Sequence, residues 1–229
     1  MSLVKAIKNT QRKGLFPVIS EIKLRSEKKG DLIKNRDPLD ILKEMLSCPV
    51  SGISVVTESE HFGGSMDLLK KIIKNTSVPV LHKDFIKDEE QIKESSKIGA
   101  SAILLISSIL SKKELENLVE TGKRCGIETM VEVHTLEDIN KIQDIDTDIL
   151  GINNRDIKIL ETDDTGVELT LKLIKYCPKD KPIISESSIS TANDVIKVKK
   201  AGVDAVLVGT MVMLSDNINN FLNNLIYIG

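Results

Sequence analysis

PVLHKDFIKDEEQIKESSKIGASAILLI, residues 79–106, holds one full unit of the pattern that organises the chain. PVLH (79–82) is a short apolar run opened by a proline. DEEQIKESSKIG (88–99) has helical spacing and ends in glycine after a lysine, which is a helix stop signal. SAILLI (101–106) is a second apolar run. Strand, helix, strand is the βαβ unit, and its repetition decides the fold. The other runs are PVISEI (17–22), GISVV (52–56), IETMVE (127–132), DILGI (148–152), PIIS (182–185) and DAVLV (204–208). Helical segments separate them: 39–46, 65–75, 112–126, 135–142, 166–177 and 191–202, with a last one at 216–226. Eight strands alternating with eight helices predict an α/β chain folded as a (β/α)8 TIM barrel, a single domain over 1–229. A short N-terminal helical extension is expected within 1–16, from Leu3 to about Arg12. The competing architecture is a doubly wound open sheet, but no GxGxxG follows the first strand.

Composition sets the wider bounds. The chain has 229 residues, a size usual for one α/β barrel, and 41% of them are hydrophobic, enough for a sizeable core. With 32 basic and 34 acidic residues, no bias points to nucleic acid or a membrane surface. No apolar run approaches a membrane helix, and the polar start MSLVKAIKNTQRKG lacks a signal peptide's apolar block. Cys48, Cys125 and Cys177 are odd in number and form no CxxC pair; they fit a reducing cytoplasm and packing roles. His61, His82 and His134 show neither HxH nor HExxH spacing, so no metal site is expected.

A barrel builds its active site where the strands end. Glu21 and Lys23 close the first strand two residues apart, and so face the same side. Lys83 closes the third, Glu132 the fifth, and Glu186 the seventh; Asn153 and Arg155 follow the sixth. One such residue is an ordinary rim charge. Together they put lysines, glutamates, an arginine and an asparagine at one mouth, which suits a polar, anionic substrate. His134 reads as a loop residue beyond Glu132. SESSIST (185–191) and LVGTM (207–211) place small residues between the last strands and the helices after them, as backbone phosphate cradles do.

Several blocks resemble indole-3-glycerol-phosphate synthase, a tryptophan-pathway family: PVISEIKLRS (17–26), GISVVTESEHFGGS (52–65), VPVLHKDFI (78–86), ASAILLI (100–106), VEVHTLED (131–138), GINNRDI (151–157), ISES (184–187) and LVGTMVM (207–213). They fall in the family's order over nearly the whole chain. The resemblance implies ring closure of 1-(2-carboxyphenylamino)-1-deoxyribulose 5-phosphate, with loss of carbon dioxide and water and without a metal or organic cofactor. It implies Lys83 as general acid and Glu132 as general base. Lys23 is implied as a carboxylate and phosphate contact that also serves dehydration. Glu21, Asn153 and Glu186 are implied as orienting groups, and Arg155 as an anion contact. Ser26, Ser187, Ser188, Gly209 and Thr210 fall on phosphate-binding turns. Phe62, Phe85, Leu104 and Ile106 are expected to line an apolar slot for the anthranilate ring. The implied ligand is a small phosphorylated molecule, with neither nucleic acid nor membrane as partner.

Three departures stand out. The extension before the first strand is shorter than is common in the family, which suggests that part of a lid is missing. The loop after the first strand reads SEKKG, with Glu27 where proline is frequent. ESS replaces ESG, which puts Ser188 where a turn with positive φ favours glycine. Other readings compete: a Schiff-base aldolase acting through Lys83, a sugar-phosphate isomerase, or a barrel kept only to bind a phosphorylated ligand.

Overall fold

The computed structural model describes residues 1–155 and 166–228; Asp156 and Ile157 of the GINNRDI block lie outside them. All eight apolar runs are strands: β1 (Val18–Ile22), then β4 (Gly52–Val56), β5 (Val80–Lys83), β6 (Ala102–Ile106), β7 (Glu128–Val133), β8 (Ile149–Asn153), β9 (Ile183–Glu186) and β10 (Ala205–Val208). Between β1 and β4 lies a small antiparallel ribbon of β2 (Arg25–Ser26) and β3 (Gly30–Asp31), around the SEKKG loop after the first strand. The eight strands pair in parallel, each with its neighbour in sequence, and β1 closes on β10. The open-sheet alternative is thereby excluded.

Ten α-helices fill the connections among the described residues: α1 (Leu3–Arg12), α2 (Pro38–Leu46), α3 (Met66–Lys74), α4 (Glu89–Ile98), α5 (Lys112–Cys125), α6 (Leu136–Ile142), α7 (Glu168–Leu173), α8 (Ala192–Ala201), α9 (Thr210–Leu214) and α10 (Ile218–Ile226). Local chemistry sets their ends. Asp88 with Gln91 boxes the start of α4, and Thr191 with Asp194 does so for α8. Gly99, Gly126 and Gly202 end α4, α5 and α8 in the left-handed conformation, as the Lys/Arg-then-Gly signals predicted. The 166–177 segment is helical over a shorter span and tightens into a 3₁₀ turn at Ile174–Tyr176. Helix α9 had no separate signal, because five residues cannot display a period. No described helix is long and apolar enough to cross a membrane.

Strand parity divides the core in two. Val18, Ile22, Ile53, Val55, Val131, Val133 and Val206 face outward and pack under the helices. Ile19, Leu81, Leu104, Met130, Ile149, Ile184 and Leu207 face inward and fill the barrel. Burial on both faces explains why the strands read as continuous apolar runs instead of alternating ones. Leu3 and Ile7 of α1 belong to the inner cluster. A Cβ on Gly52, at the start of β4, would lie 2.8 Å from Leu3 Cδ1, so glycine there admits α1. Leu3 N–H donates to Glu128 at the start of β7 (2.6 Å), and Thr10 accepts from Ser51 (2.9 Å). Helix α1 therefore plugs the floor, at the N-terminal ends of the strands. The helix lies at the end opposite the mouth.

The cysteines are unpaired. Burial pushes the Cys177 thiol up to about 11 and raises that of Cys48, so both are poor nucleophiles.

Candidate active site

The inward parity that fills the barrel with Ile19, Leu81, Met130 and Ile184 places Glu21, Lys83, Glu132 and Glu186 one step nearer the mouth, on the same face. Each is two residues beyond an inward apolar side chain. Glu21, Glu132 and Glu186 are at most 2% exposed, and Lys23 and Asn153 are also buried. Lys83 Nζ lies 2.9 Å from Glu186 Oε2 and 3.3 Å from Glu21 Oε2. Glu21 Oε1 is 3.7 Å from Lys23 Nζ, and Ser54 Oγ donates to Glu21 Oε2 (3.3 Å). Across the mouth, Asn153 Nδ2 donates to Glu132 Oε2 (3.1 Å). Buried charges persist only when paired or put to use, and here one ammonium is shared by two carboxylates.

Two cavities open onto this group. The first, about 30 Å³, is lined by Phe62, Phe85, Leu104 and Ile106 together with Lys83 and Glu132. The second, about 110 Å³, is lined by Arg155, Ser187, Ser188, Gly209, Thr210 and Lys29. Both are also lined by Glu21, Lys23 and Lys83, so they are two arms of one cleft. One arm is apolar and suits a ring; the other is cationic and rich in turn backbone. Lys23 Nζ stands 5.3 Å from the Phe62 ring centroid, in cation–π range, where the arms meet.

Ser187 and Ser188 both have positive φ, 63° and 56°. Ser188 Oγ accepts from Arg155 Nε at 3.1 Å. Gly209 leads into α9 with no side-chain cap. A Cβ on Gly209 would overlap Glu21 Oε1, so that glycine makes room for the carboxylate as well as forming the turn. Gly151 plays the same part on β8, where a Cβ would lie 2.7 Å from Glu186 Oε1. Ser26 stands apart: its hydroxyl accepts the Lys29 N–H (3.0 Å) inside the β2–β3 turn. Ser26 thus shapes the turn that brings Lys29 to the cleft.

Sequence reading passed over several residues that hold this site. Thr57 N–H donates to Lys83 O (3.1 Å), and its hydroxyl bonds both His82 Nε2 (2.7 Å) and Asp84. His82 Nδ1 meets Ser95 Oγ at 2.7 Å. Burial pushes the Asp84 carboxyl up, but hydrogen bonds from His82, Thr57 and the Phe85 N–H outweigh it and leave Asp84 below its ordinary 3.8. This network pins the strand end that carries Lys83. Asn154 Nδ2 reaches Ser185 Oγ and the Glu186 and Ser187 carbonyls, while its Oδ1 accepts from Thr170, locking β8 to β9. Glu58 accepts the N–H groups of Glu60, His61 and Phe62 and so sets the turn bearing Phe62. His134 is no mere loop residue: it is buried, with Nε2 3.4 Å from Glu132 Oε1. The signals were present in VEVH, KDF and the doubled Asn of GINNRD, but spacing alone does not tell a side chain that meets a ligand from one that holds its neighbour.

Among the described residues, one cluster has metal-ligand types within reach of one another: Glu58, Glu60 and His61. Glu58 already serves three backbone N–H groups there and His61 Nδ1 faces Glu27 Oε1 (3.1 Å), so the cluster is accounted for as a turn.

Comparison with known proteins bears on this geometry. Residues 1–225 match the family model for indole-3-glycerol phosphate synthase. Curated proteins of that name include those of Pyrococcus abyssi, 40% identical over 92% of this chain and 91% of theirs, and Pyrococcus furiosus, 43% identical over 88% and 87%. That of Campylobacter fetus is 37% identical over 94% of this chain and 82% of its own. Among solved structures, a mandelate oxidase variant (TM-score 0.68, 15% identity, 91% of this chain and 70% of that one) shares only the fold. So does a thiamine phosphate pyrophosphorylase from Pyrococcus furiosus (TM-score 0.64, 14% identity, 94% and 95%). Barrel likeness alone leaves chemistry open. A family match over nearly the full length, joined to a cleft with an apolar and a cationic arm, does not: the chain belongs to the indole-3-glycerol phosphate synthase family.

Proposed function

We propose that this chain closes the indole ring of 1-(2-carboxyphenylamino)-1-deoxyribulose 5-phosphate, with Lys83 as general acid and Glu132 as general base. The observation that carries the reading is the Lys83 ammonium, held 2.9 and 3.3 Å from two buried carboxylates at the junction of the two arms. Held there, the ammonium is placed to hand a proton to a substrate oxygen. A carbonyl-trapping amine would have to abandon both carboxylates, which disfavours the Schiff-base alternative.

The substrate would lie with its carboxyphenyl ring among Phe62, Phe85, Leu104 and Ile106 and its phosphate toward the 187–188 and 209–210 turns, near Arg155 and Lys29. As the ring carbon bearing the carboxylate attacks the ketone, the oxygen gains negative charge and takes a proton from Lys83. Loss of carbon dioxide restores the aromatic ring and needs no electron sink from the protein. The hydroxyl then leaves as water, protonated by a lysine, Lys23 being in reach of the same cleft. Glu132 removes the remaining proton to complete the pyrrole. Asn153, donating to Glu132 Oε2, orients the base, and Glu21 and Glu186 orient Lys83. Such chemistry suits the cytoplasm, where a small phosphorylated metabolite is the only partner required.

Incubation of the purified chain with this substrate, followed by indole fluorescence, tests the reading; product should accumulate. Borohydride added with a keto-sugar phosphate should trap no adduct on Lys83. A trapped adduct and no fluorescence would move the chain to the aldolase reading.

A further inference from the structure

Ser188 occupies a conformation that suits glycine. Its φ is 56°, it follows Ser187 at 63°, and it is nine-tenths buried. A Cβ at positive φ meets the following carbonyl, a cost glycine escapes, and such strain persists where the surroundings compensate it. A backbone N–H aimed at an anion would be presented equally well by glycine, so the turn alone gives no reason for a side chain. The hydroxyl does have an identified partner: it accepts from Arg155 Nε at 3.1 Å. Arg155 is also held at its root, where its own N–H donates to Asn153 Oδ1 (3.0 Å), and Asn153 in turn is bonded to Glu132.

We propose that the Ser188 hydroxyl is a positioning group for Arg155, fixing the guanidinium across the gap between β8 and β9 so that its outer nitrogens face the cationic arm. The inference rests on the proposed function for the identity of the anion, but the contact itself exists without ligand. The chemistry fits. Arginine carries five N–H donors in a rigid fork, and occupying Nε leaves the two terminal nitrogens for an oxyanion. A long side chain pinned at root and head loses less freedom when the anion arrives, so the gain falls on binding. Arg155 lines the same cavity as Ser187, Gly209, Thr210 and Lys29, where the substrate's phosphate is proposed to lie. Ser188 thereby acts through Arg155 and need not touch the substrate.

The test compares Ser188→Gly, Ser188→Ala and Ser188→Asn, each alone and with Arg155→Lys. Glycine relieves the strain and removes the acceptor; alanine removes the acceptor only; asparagine tolerates the left-handed region and restores an acceptor. Glycine and alanine should raise KM by about three- to tenfold, the scale of one modest hydrogen bond, with a smaller change in kcat. Asparagine should recover part of that loss, and glycine should leave Tm at or above the parent's. In the Arg155→Lys background, which has no Nε donor, Ser188→Gly should add nothing further. A ligand-free readout separates this claim from the assignment of substrate: the Arg155 Nε–H resonance of the unliganded protein should exchange slowly, and faster after Ser188→Gly. Unchanged KM in Ser188→Gly would overturn the proposal, as would an equal effect in the Arg155→Lys background. A parent Nε–H exchanging as fast as an exposed arginine's would also overturn it, even if the enzyme makes indole product.

Discussion

At the floor of the barrel, α1 sets Leu3 and Ile7 against Ile19, Leu81 and Met130, and its start is anchored by neutral donors, the Ser2 hydroxyl and the Leu3 and Val4 N–H groups, all on Glu128. At the mouth, two residues further along the same inward faces, Glu21, Glu132 and Glu186 are just as buried, and Glu21 and Glu186 share the partly buried Lys83. Glu186 Oε1 accepts no hydrogen bond among the described residues. One end is arranged for stability; the other keeps desolvated charge whose return comes when a substrate arrives. The contrast also runs within the mouth. Asp138 accepts from the His134 and Thr135 N–H groups and from Ser107, with Lys141 nearby, and so ties the start of α6 to the turn after β6. Asp138 is a structural carboxylate, whereas Glu132, six residues earlier and facing the cleft, is proposed as the reactive one.

Removing Lys83 should break the contrast most. Lys83→Ala strips the proposed acid and leaves Glu21 and Glu186 facing each other in a desolvated site. Turnover should fall by roughly 10²–10⁴-fold or more. Stability should fall by about 3–5 kcal/mol, the scale of a broken buried pair. Initial rates and urea unfolding measure both; near-parent turnover would remove Lys83 from the mechanism. At the floor, Ile7→Ala should cost about 2–5 kcal/mol in unfolding while leaving kcat per folded molecule unchanged. A fall in kcat matching the loss of stability would mean that the two ends are coupled.

Asp138→Asn sharpens the comparison with a smaller effect. Burial pushes the Asp138 carboxyl up, but the His134 N–H, Ser107, Thr135 and the Lys141 charge outweigh it and hold it below its ordinary 3.8. A depressed carboxylate stabilises the fold above its unfolded value and loses that contribution as pH falls through the folded one. The variant should therefore be less stable by about 1–3 kcal/mol at pH 7. The difference should close below pH 3.8, as unfolding curves at several pH values would show. A difference that does not vary with pH would place the effect in packing.

The strand ends and the barrel were legible because parity carries them: a charged residue two positions past an inward apolar one must face the mouth. Position at a strand end brought Lys23, Glu132, Asn153 and Glu186 into one group before any contact was known. Three things escaped it. The β2–β3 ribbon in the loop after the first strand gave no signal, since two-residue strands have no period. Thr57, His82 and Asn154 act through hydrogen bonds between different elements, which one strand's spacing does not encode. Ser188 could be identified as misplaced in a glycine turn, but only the fold brings Arg155 to its hydroxyl.

The most direct test of the central claim is Glu132→Gln in a single-turnover experiment. Glutamine keeps the acceptor for Asn153 Nδ2 and the shape of the side chain. The variant should unfold like the parent and bind the substrate with near-parent affinity. Its indole fluorescence should rise at least roughly 10²-fold more slowly. A glutamine variant that forms indole at close to the parent rate would contradict the assignment of Glu132 as the base.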